Sequence, residues 1–240
     1  MGDPEFKNIA FYEFFKPAFK LKHTRNILLN RMGELGIKGT ILLGPEGINS
    51  SLSGATEKMD PFLQFLFETI DITVPPLKIS YSREIAFKRS LVKIKPLIIA
   101  APGKTPIDPT KDPAPFISSE KFHQWIKSNK KMVVLDTRND FEYRTGRFEN
   151  SLHLGNKHFA DFEGSLQKAP GQWHSIPVVT YCTGGIRCEK AAALMLKKGF
   201  REVYQLEGGI LNYFDKIGRG FFEGECFVFD QRAALDGGLK

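Results

Sequence analysis

The side chains best placed to do chemistry lie in the run Thr180-Tyr-Cys-Thr-Gly-Gly-Ile-Arg-Cys188. Upstream, Ile176 to Tyr181 is short, apolar and β-branched, and reads as a buried strand. Downstream, Glu189 to Lys198 is rich in alanine and leucine and reads as a helix closed by Gly199. Cys182 then stands at a strand end, and Thr183, Gly184, Gly185 and Ile186 form a tight loop that opens onto a helix N-terminus. Backbone N–H groups of such a loop converge into an anion cradle, which the helix dipole and Arg187 strengthen. A thiol there ionises below the usual value of about 8.5 and becomes a nucleophile. The competing account, a buried structural cysteine, leaves the Gly184-Gly185 pair and Arg187 without a purpose.

Other reactive residue types carry less. Arg187 either faces the thiol or makes an interdomain ion pair. Cys188, in the first helical turn, either packs inward or resolves an oxidised Cys182 as a disulfide. Cys226 sits in an aromatic tail and reads as core. Asp136 ends a strand and reads as structural, and Glu142 and Arg144 read as surface or support groups. His153, His158 and Asp161 lack the HxxxH or HxxH spacing of a helical metal site, so no metal is expected. No glycine fingerprint for a flavin or nicotinamide occurs, so no cofactor is evident. Glu46 and Asn49 lie at a glycine-flanked turn, where they either line a substrate or simply hold the turn.

The 240 residues suffice for one large or two small domains, and 42% hydrophobic content is ordinary for a globular chain. Against 27 acidic residues stand 34 Lys and Arg, a formal charge of +7, with a pI near 9.2. The excess is dense between Lys78 and Lys95, where Arg83, Lys88, Arg89, Lys93 and Lys95 face the single Glu84. Such a patch is either a solvated sheet face or a contact for an anionic partner, nucleic acid above all. No apolar run approaches the roughly 20 residues that span a bilayer, so no membrane association is expected. Met1 to Phe6 lacks the features of a signal peptide and reads in part as a cloning remnant. Three cysteines, an odd number, make no disulfide framework, and a reactive thiol suits a reducing compartment, the cytoplasm.

Five prolines between Pro102 and Pro115 exclude a helix or a central strand and suggest an extended linker over 101–116. Residues 1–100 read as strand Ile9 to Phe14, helix Leu21 to Leu35, strands Gly39 to Leu43 and Ile48 to Leu52, helix Thr56 to Thr69, and strands Leu77 to Ser82 and Leu91 to Ile99. That β-α-β-β-α-β order plus one strand predicts a ferredoxin-like α+β sandwich, with helices on one sheet face and the other face open for RNA. Residues 117–218 alternate strands and helices, which predicts an α/β domain with a mostly parallel sheet and Cys182 beyond the carboxyl ends of its strands. The aromatic tail 219–240 is expected to pack across domains. Oligomeric state is not legible.

Two further segments carry a resemblance. Met132 to Gly146 (MVVLDTRNDFEYRTG) and Leu206-Glu-Gly-Gly-Ile210, in order around the Cys182 to Arg187 loop, resemble rhodanese-type sulfurtransferases, whose cysteine carries a persulfide. With Lys38 to Gly54 (KGTILLGPEGINSSLSG) and Cys226-Phe-Val-Phe-Asp230, the chain from Phe6 to Arg232 resembles the bacterial tRNA uridine hydroxylase family. It departs from the rhodanese pattern at Gly146-Arg147-Phe148, where Gly-His-Ile or Gly-His-Phe is usual, and from the family at Asn150-Ser151, often a small pair such as Gly-Ala.

The resemblance implies a ferredoxin-like domain joined to a rhodanese-like one, and tRNA as partner. It further implies oxygen-dependent formation of 5-hydroxyuridine at the wobble position, molecular oxygen as co-substrate, and Cys182 as the active-site residue. Whether Cys182 attacks C6 of uridine, holds a persulfide or holds an oxidised sulfur stays open. A plain sulfurtransferase is the alternative and would need only the second domain. A non-enzymatic interaction module would leave Cys182 inert. A cysteine phosphatase would need a longer loop between cysteine and arginine.

Overall fold

A computed structural model describes residues 5–111 and 113–239. Its contacts divide into two units, one running to Ile98 and taking in Phe229–Arg232, the other comprising Ile99–Val228 and Ala233–Leu239.

In the first unit, β1 (Phe6–Phe14), α1 (Leu21–Leu35), β2 (Lys38–Gly44), β3 (Gly47–Ala55), α2 (Thr56–Ile70), β4 (Lys78–Ser82) and β5 (Ser90–Ile94) follow in order. The sheet runs β4-β1-β3-β2-β5, antiparallel except where β5 lies parallel to β2. Alternation decides which face is packed: Ile9 and Phe11 of β1 and Ile48 and Leu52 of β3 are buried on the helix side. There they meet Leu28 and Met32 of α1, one turn apart, and Met59, Phe62, Leu63, Leu66 and Phe67 of α2. Gly36 closes α1 in the left-handed region, at φ 69°.

The opposite face is less open than expected. Asn8 donates to Ser82 Oγ, Ser53 Oγ accepts from the N–H of buried Ala86, and the N–H of Gln231 donates to the carbonyl of Ala86. Arg232 donates to Ser80 Oγ, so Phe229–Arg232 joins the β4–β5 connection over that face. Polar residues of the pleat, serine and asparagine, take this cover because they offer side-chain hydrogen bonds in place of apolar area.

The second unit contains β6 (Phe116–Ile117), α3 (Ser119–Lys127), β7 (Val133–Asp136), α4 (Asp140–Thr145), β8 (Gly146–Phe148), β9 (Leu152–His153), α5 (Phe162–Leu166), β10 (Val178–Tyr181), α6 (Ile186–Lys197), β11 (Val203–Leu206) and α7 (Gly209–Ile217). A wholly parallel sheet runs β6-β11-β10-β7-β9. Every residue of β7 and β10 is buried, as two-sided cover demands. Val133, Leu135 and Val178 face Ala191, Leu194 and Met195 of α6. Val134, Val179 and Tyr181 face Phe122 of α3 and Ile210, Tyr213 and Phe214 of α7.

Short β12 (Phe222–Gly224) pairs with β8, and β13 (Cys226–Phe227) with β14 (Ala234–Leu235), pairings without a periodic sequence signal. The proline-rich segment runs through bends at 102–105 and a turn at 109–111, and it is pinned to its own unit. Glu163 takes the N–H groups of Lys104 and Thr105, Lys190 Nζ donates to Ile99 O, and Gln205 donates to Ala114 O.

Candidate active site

β10 delivers Cys182 at its carboxyl end, and α6 begins four residues later. Gly185 turns the chain at φ 99°, a left-handed position that favours glycine, and its N–H donates to Cys182 Sγ at 3.1 Å. Gly184 meets nothing within 4 Å where a Cβ would stand, so the two glycines are not equivalent. The helix α6 starts at Ile186 rather than Glu189, which places Arg187 and Cys188 in its first turn.

The cradle is held open from behind. The N–H groups of Ile210 and Leu211, at the start of α7, donate to the carbonyls of Cys182 and Thr183 at 3.0 and 3.1 Å. With the loop carbonyls turned outward, its N–H groups face the sulfur. This requires close approach: a Cβ on Gly209, at φ 67°, would lie 2.4 Å from the Cys182 carbonyl oxygen. The Gly208-Gly209 doublet in the Leu206 to Ile210 motif is thus a part of the site, and its signal in the sequence is the pair of glycines at a helix start.

Charge is arranged beneath the loop. Arg187 is buried and donates from Nη1 and Nη2 to the two oxygens of Glu142, each at 2.7 Å. Burial opposes the charge of Arg187, but the Glu142 carboxylate more than offsets it and raises the guanidinium's pKa. Its partner lies in the same unit, so the interdomain ion pair does not form. Glu142 is wholly buried, which corrects its reading as a surface group; it serves as support, and also accepts from the N–H of Asn139. Arg144 is exposed and pairs with Asp140.

Around Cys182, burial works against ionisation. A hydrogen bond from the Cys188 thiol, the Arg187 charge and the Arg187 N–H outweigh it, and the thiol's pKa is lowered to about 5. Burial and the same hydrogen bond push Cys188 up, and burial raises Cys226 to about 12. Of the three buried thiols, only Cys182 has its pKa lowered. The arrangement can attack an electrophile, or carry a sulfur or oxygen atom on Sγ.

Supporting polar groups extend the site inward. Thr137 donates from N and Oγ1 to the Tyr181 carbonyl, both at 3.0 Å, and its hydroxyl lies 3.6 Å from Cys188 Sγ. Asp136 is structural: it grips buried Arg138, which also donates to the Gly146 carbonyl. The Asn150-Ser151 departure has a physical account. Asn150 adopts φ 57°, and Ser151 Oγ accepts from the hydroxyl of Tyr181, the residue before Cys182. Gly146–Phe148 forms β8 against the tail, outside the parallel sheet.

Glu46 and Asn49 lie in the first unit and hold the backbone of one residue, Ile98. The N–H of Ile98 donates to Glu46 Oε1 at 2.7 Å, and Asn49 Nδ2 donates to the Ile98 carbonyl at 3.0 Å. Arg83, Lys88, Arg89, Lys93 and Lys95 are exposed on the first unit.

Residues 6–98 match the family model described as UPF0176 acylphosphatase like domain, and residues 118–216 match the rhodanese-like domain. The chain is 37% identical over 229 residues to a tRNA uridine(34) hydroxylase of Legionella pneumophila (strain Paris), covering 95% of this chain and 89% of that protein. It is 40% identical over 241 residues to the protein of that name from Bordetella petrii, covering 98% and 95%. This chain belongs to the tRNA uridine(34) hydroxylase family. A further tRNA uridine(34) hydroxylase, from Synechocystis sp., is 38% identical over 208 residues, covering 86% of this chain and 74% of that protein. Within this member of the hydroxylase family, no group of three or more His, Cys, Asp or Glu residues is placed to hold a metal ion among the described residues. Nor is any helix among them long and apolar enough to cross a membrane.

Proposed function

We propose that this chain hydroxylates the wobble uridine of tRNA at C5, with molecular oxygen as co-substrate and Cys182 as the reactive group. One observation carries the reading: Cys182 is the lone low-pKa thiol among three, held in an N–H cradle, in a chain aligned with hydroxylases over nearly its whole length. A thiolate adding to C6 of the uracil ring makes C5 nucleophilic toward an oxidant, which is chemistry the lowered pKa supports. Once oxygen is on C5, loss of the C5 proton expels the thiolate and restores the ring, and a two-electron donor from outside the chain reduces the second oxygen atom to water. Thr183, Gly184, Gly185 and Ile186 form the cradle, and Arg187 acts through its charge. The exposed Arg83, Lys88, Arg89, Lys93 and Lys95 suit contact with tRNA phosphates, with salt-sensitive binding. The protein works in the cytoplasm, where tRNA and a reduced thiol coexist.

The test is nucleoside mass spectrometry of tRNA from cells lacking this protein, rescued with wild type or with Cys182→Ala. Loss of 5-hydroxyuridine restored by wild type alone is the expected result, and normal restoration by Cys182→Ala would overturn the role of the thiol. Unchanged 5-hydroxyuridine with fewer thiolated nucleosides would replace hydroxylation by sulfur transfer.

A further inference from the structure

The sheet of the first unit ends in two strands that meet solvent differently. One edge, β5, carries Lys93, is preceded by Lys88 and Arg89, and is followed by Lys95 and Pro96. Charge and proline of this kind keep another strand from adding to an edge. The other edge, β4, pairs with β1 and has no second strand neighbour among the described residues. From Ile79 to Ser82 it holds neither a charge nor a proline. Alternate residues of such a strand point their N–H and C=O groups away from the sheet, where only another extended segment can pair with them in series.

The side chains of β4 repeat the contrast. Its register sets Ile79 beside Ile9, which belongs to the helix-side core, so Leu77, Ile79 and Tyr81 lie toward that face. Leu77 packs against the core, but Ile79 is 38% exposed and Tyr81 46%. Ser80 and Ser82 lie on the far face, where their hydroxyls accept from Arg232 and Asn8. Leu77 also lines an open pocket with Leu63, Phe67, Glu68 and Asp71. Both carboxylates of that pocket are on exposed residues, and so is the cation just past the strand, Arg83.

These positions select the strand that fits. An antiparallel copy of β4, related by a two-fold axis at Ser80, sets Ile79 of each copy opposite Tyr81 of the other, an aliphatic–aromatic pair made twice. The same axis sets Lys78 opposite Ser82, so like charges do not meet there. It also sets Arg83 opposite Leu77, which brings the guanidinium of one copy to the Glu68 and Asp71 pocket of the other. The edge is therefore complementary to itself in backbone pattern, apolar area and charge.

We propose that the protein forms a two-fold dimer in which the β4 edges of two copies pair antiparallel about Ser80, with Arg83 of each copy at the acidic pocket of the other. Arg83 then serves the neighbouring copy, while Lys88, Arg89, Lys93 and Lys95, by the far edge, stay available to an anionic partner. The proposal concerns the first unit and does not depend on the reaction at Cys182.

The test is sedimentation velocity of the full chain. A five-residue edge makes a small interface, so the dimer is sought at about 100 μM. The expected mass is twice the 27.1 kDa of the chain. Ile79→Lys combined with Tyr81→Lys sets lysine opposite lysine and should raise the dimer Kd about tenfold or more. Both sites are exposed, and an unchanged circular dichroism spectrum reports that the variant has folded. Arg83→Glu should weaken the dimer by about three- to tenfold, and adding Glu68→Lys should restore it to within about threefold. Ser80→Cys should form a covalent dimer on oxidation, because a residue on the axis meets its own counterpart. Arg83→Cys should not, because its counterpart stands at the opposite end of the paired strands. A monomer at that concentration would overturn the proposal. So would a dimer indifferent to the lysine pair or to Arg83→Glu, and so would crosslinking through Arg83→Cys in place of Ser80→Cys.

Discussion

Two glycine-flanked turns, one in each unit, show what separates a brace from a site. At the Gly44 to Gly47 turn and the start of β3, the polar side chains Glu46 and Asn49 hold the N–H and the carbonyl of Ile98, and the chain after β5 is held. At Cys182 to Gly185, backbone from elsewhere satisfies the carbonyls, through the N–H groups of Ile210 and Leu211. The N–H group of Gly185 is then turned onto a sulfur instead of another peptide. The first turn uses side chains to fix backbone; the second uses backbone to fix a side chain's charge. Reactivity follows the second arrangement, because donors aimed at one atom stabilise its anion.

Breaking the charge beneath the second turn should have the largest effect on the fold. Glu142→Gln leaves Arg187 buried beside no carboxylate, and should cost roughly 3–5 kcal/mol of stability in urea unfolding. Stability within about 0.5 kcal/mol of wild type would mean that the pair is not the support the geometry indicates.

The backing of the loop is the next point of attack. Gly209→Ala places a Cβ against the Cys182 carbonyl in a left-handed position, at a cost of roughly 1–2 kcal/mol from the backbone alone. In wild type, the alkylation rate of Cys182 should rise with pH through a midpoint of about 5, as thiol converts to thiolate. In Gly209→Ala, the midpoint should move up toward the ordinary thiol value of about 8.5 as the cradle deforms. Gly184→Ala, with open space around it, should keep the wild-type profile. An identical shift in both variants would show that the glycines act through flexibility alone.

The smallest effect should come from the first turn. Asn49→Ala removes one hydrogen bond to Ile98 and should cost about 1 kcal/mol with no change in the alkylation profile of Cys182. A changed profile would break the contrast between the two turns.

Much of this contrast is visible in the sequence at one level and invisible at the next. The helix Leu21–Leu35 follows from its periodic apolar positions and Gly36, and the boundaries read there are those observed. The order β4-β1-β3-β2 follows from β-α-β-β-α-β, with β5 added at the edge. The sequence suggested a tail that packs across domains, but not that Phe229–Arg232 lies on the far sheet face, since residues about 150 positions apart, such as Ser80 and Arg232, share no local pattern. Glu142 looked like a helix-terminal surface group because an acidic residue three places after Asn139 is usual there. Only the arrival of Arg187, 45 residues later, makes it a buried counterion.

The sequence by itself determined the local pieces: a strand, a glycine-rich loop and a helix start in contiguous order around Cys182, and the order of elements that builds each unit. These are set by side-chain periodicity and backbone preference, which act over a few residues. Tertiary structure alone decided that the Cys188 thiol donates to Cys182, that Arg187 bonds to Glu142, and that α7 holds the loop's carbonyls. Those outcomes depend on burial and on hydrogen-bond partners that are distant along the chain, and electrostatic energies respond to distance in space.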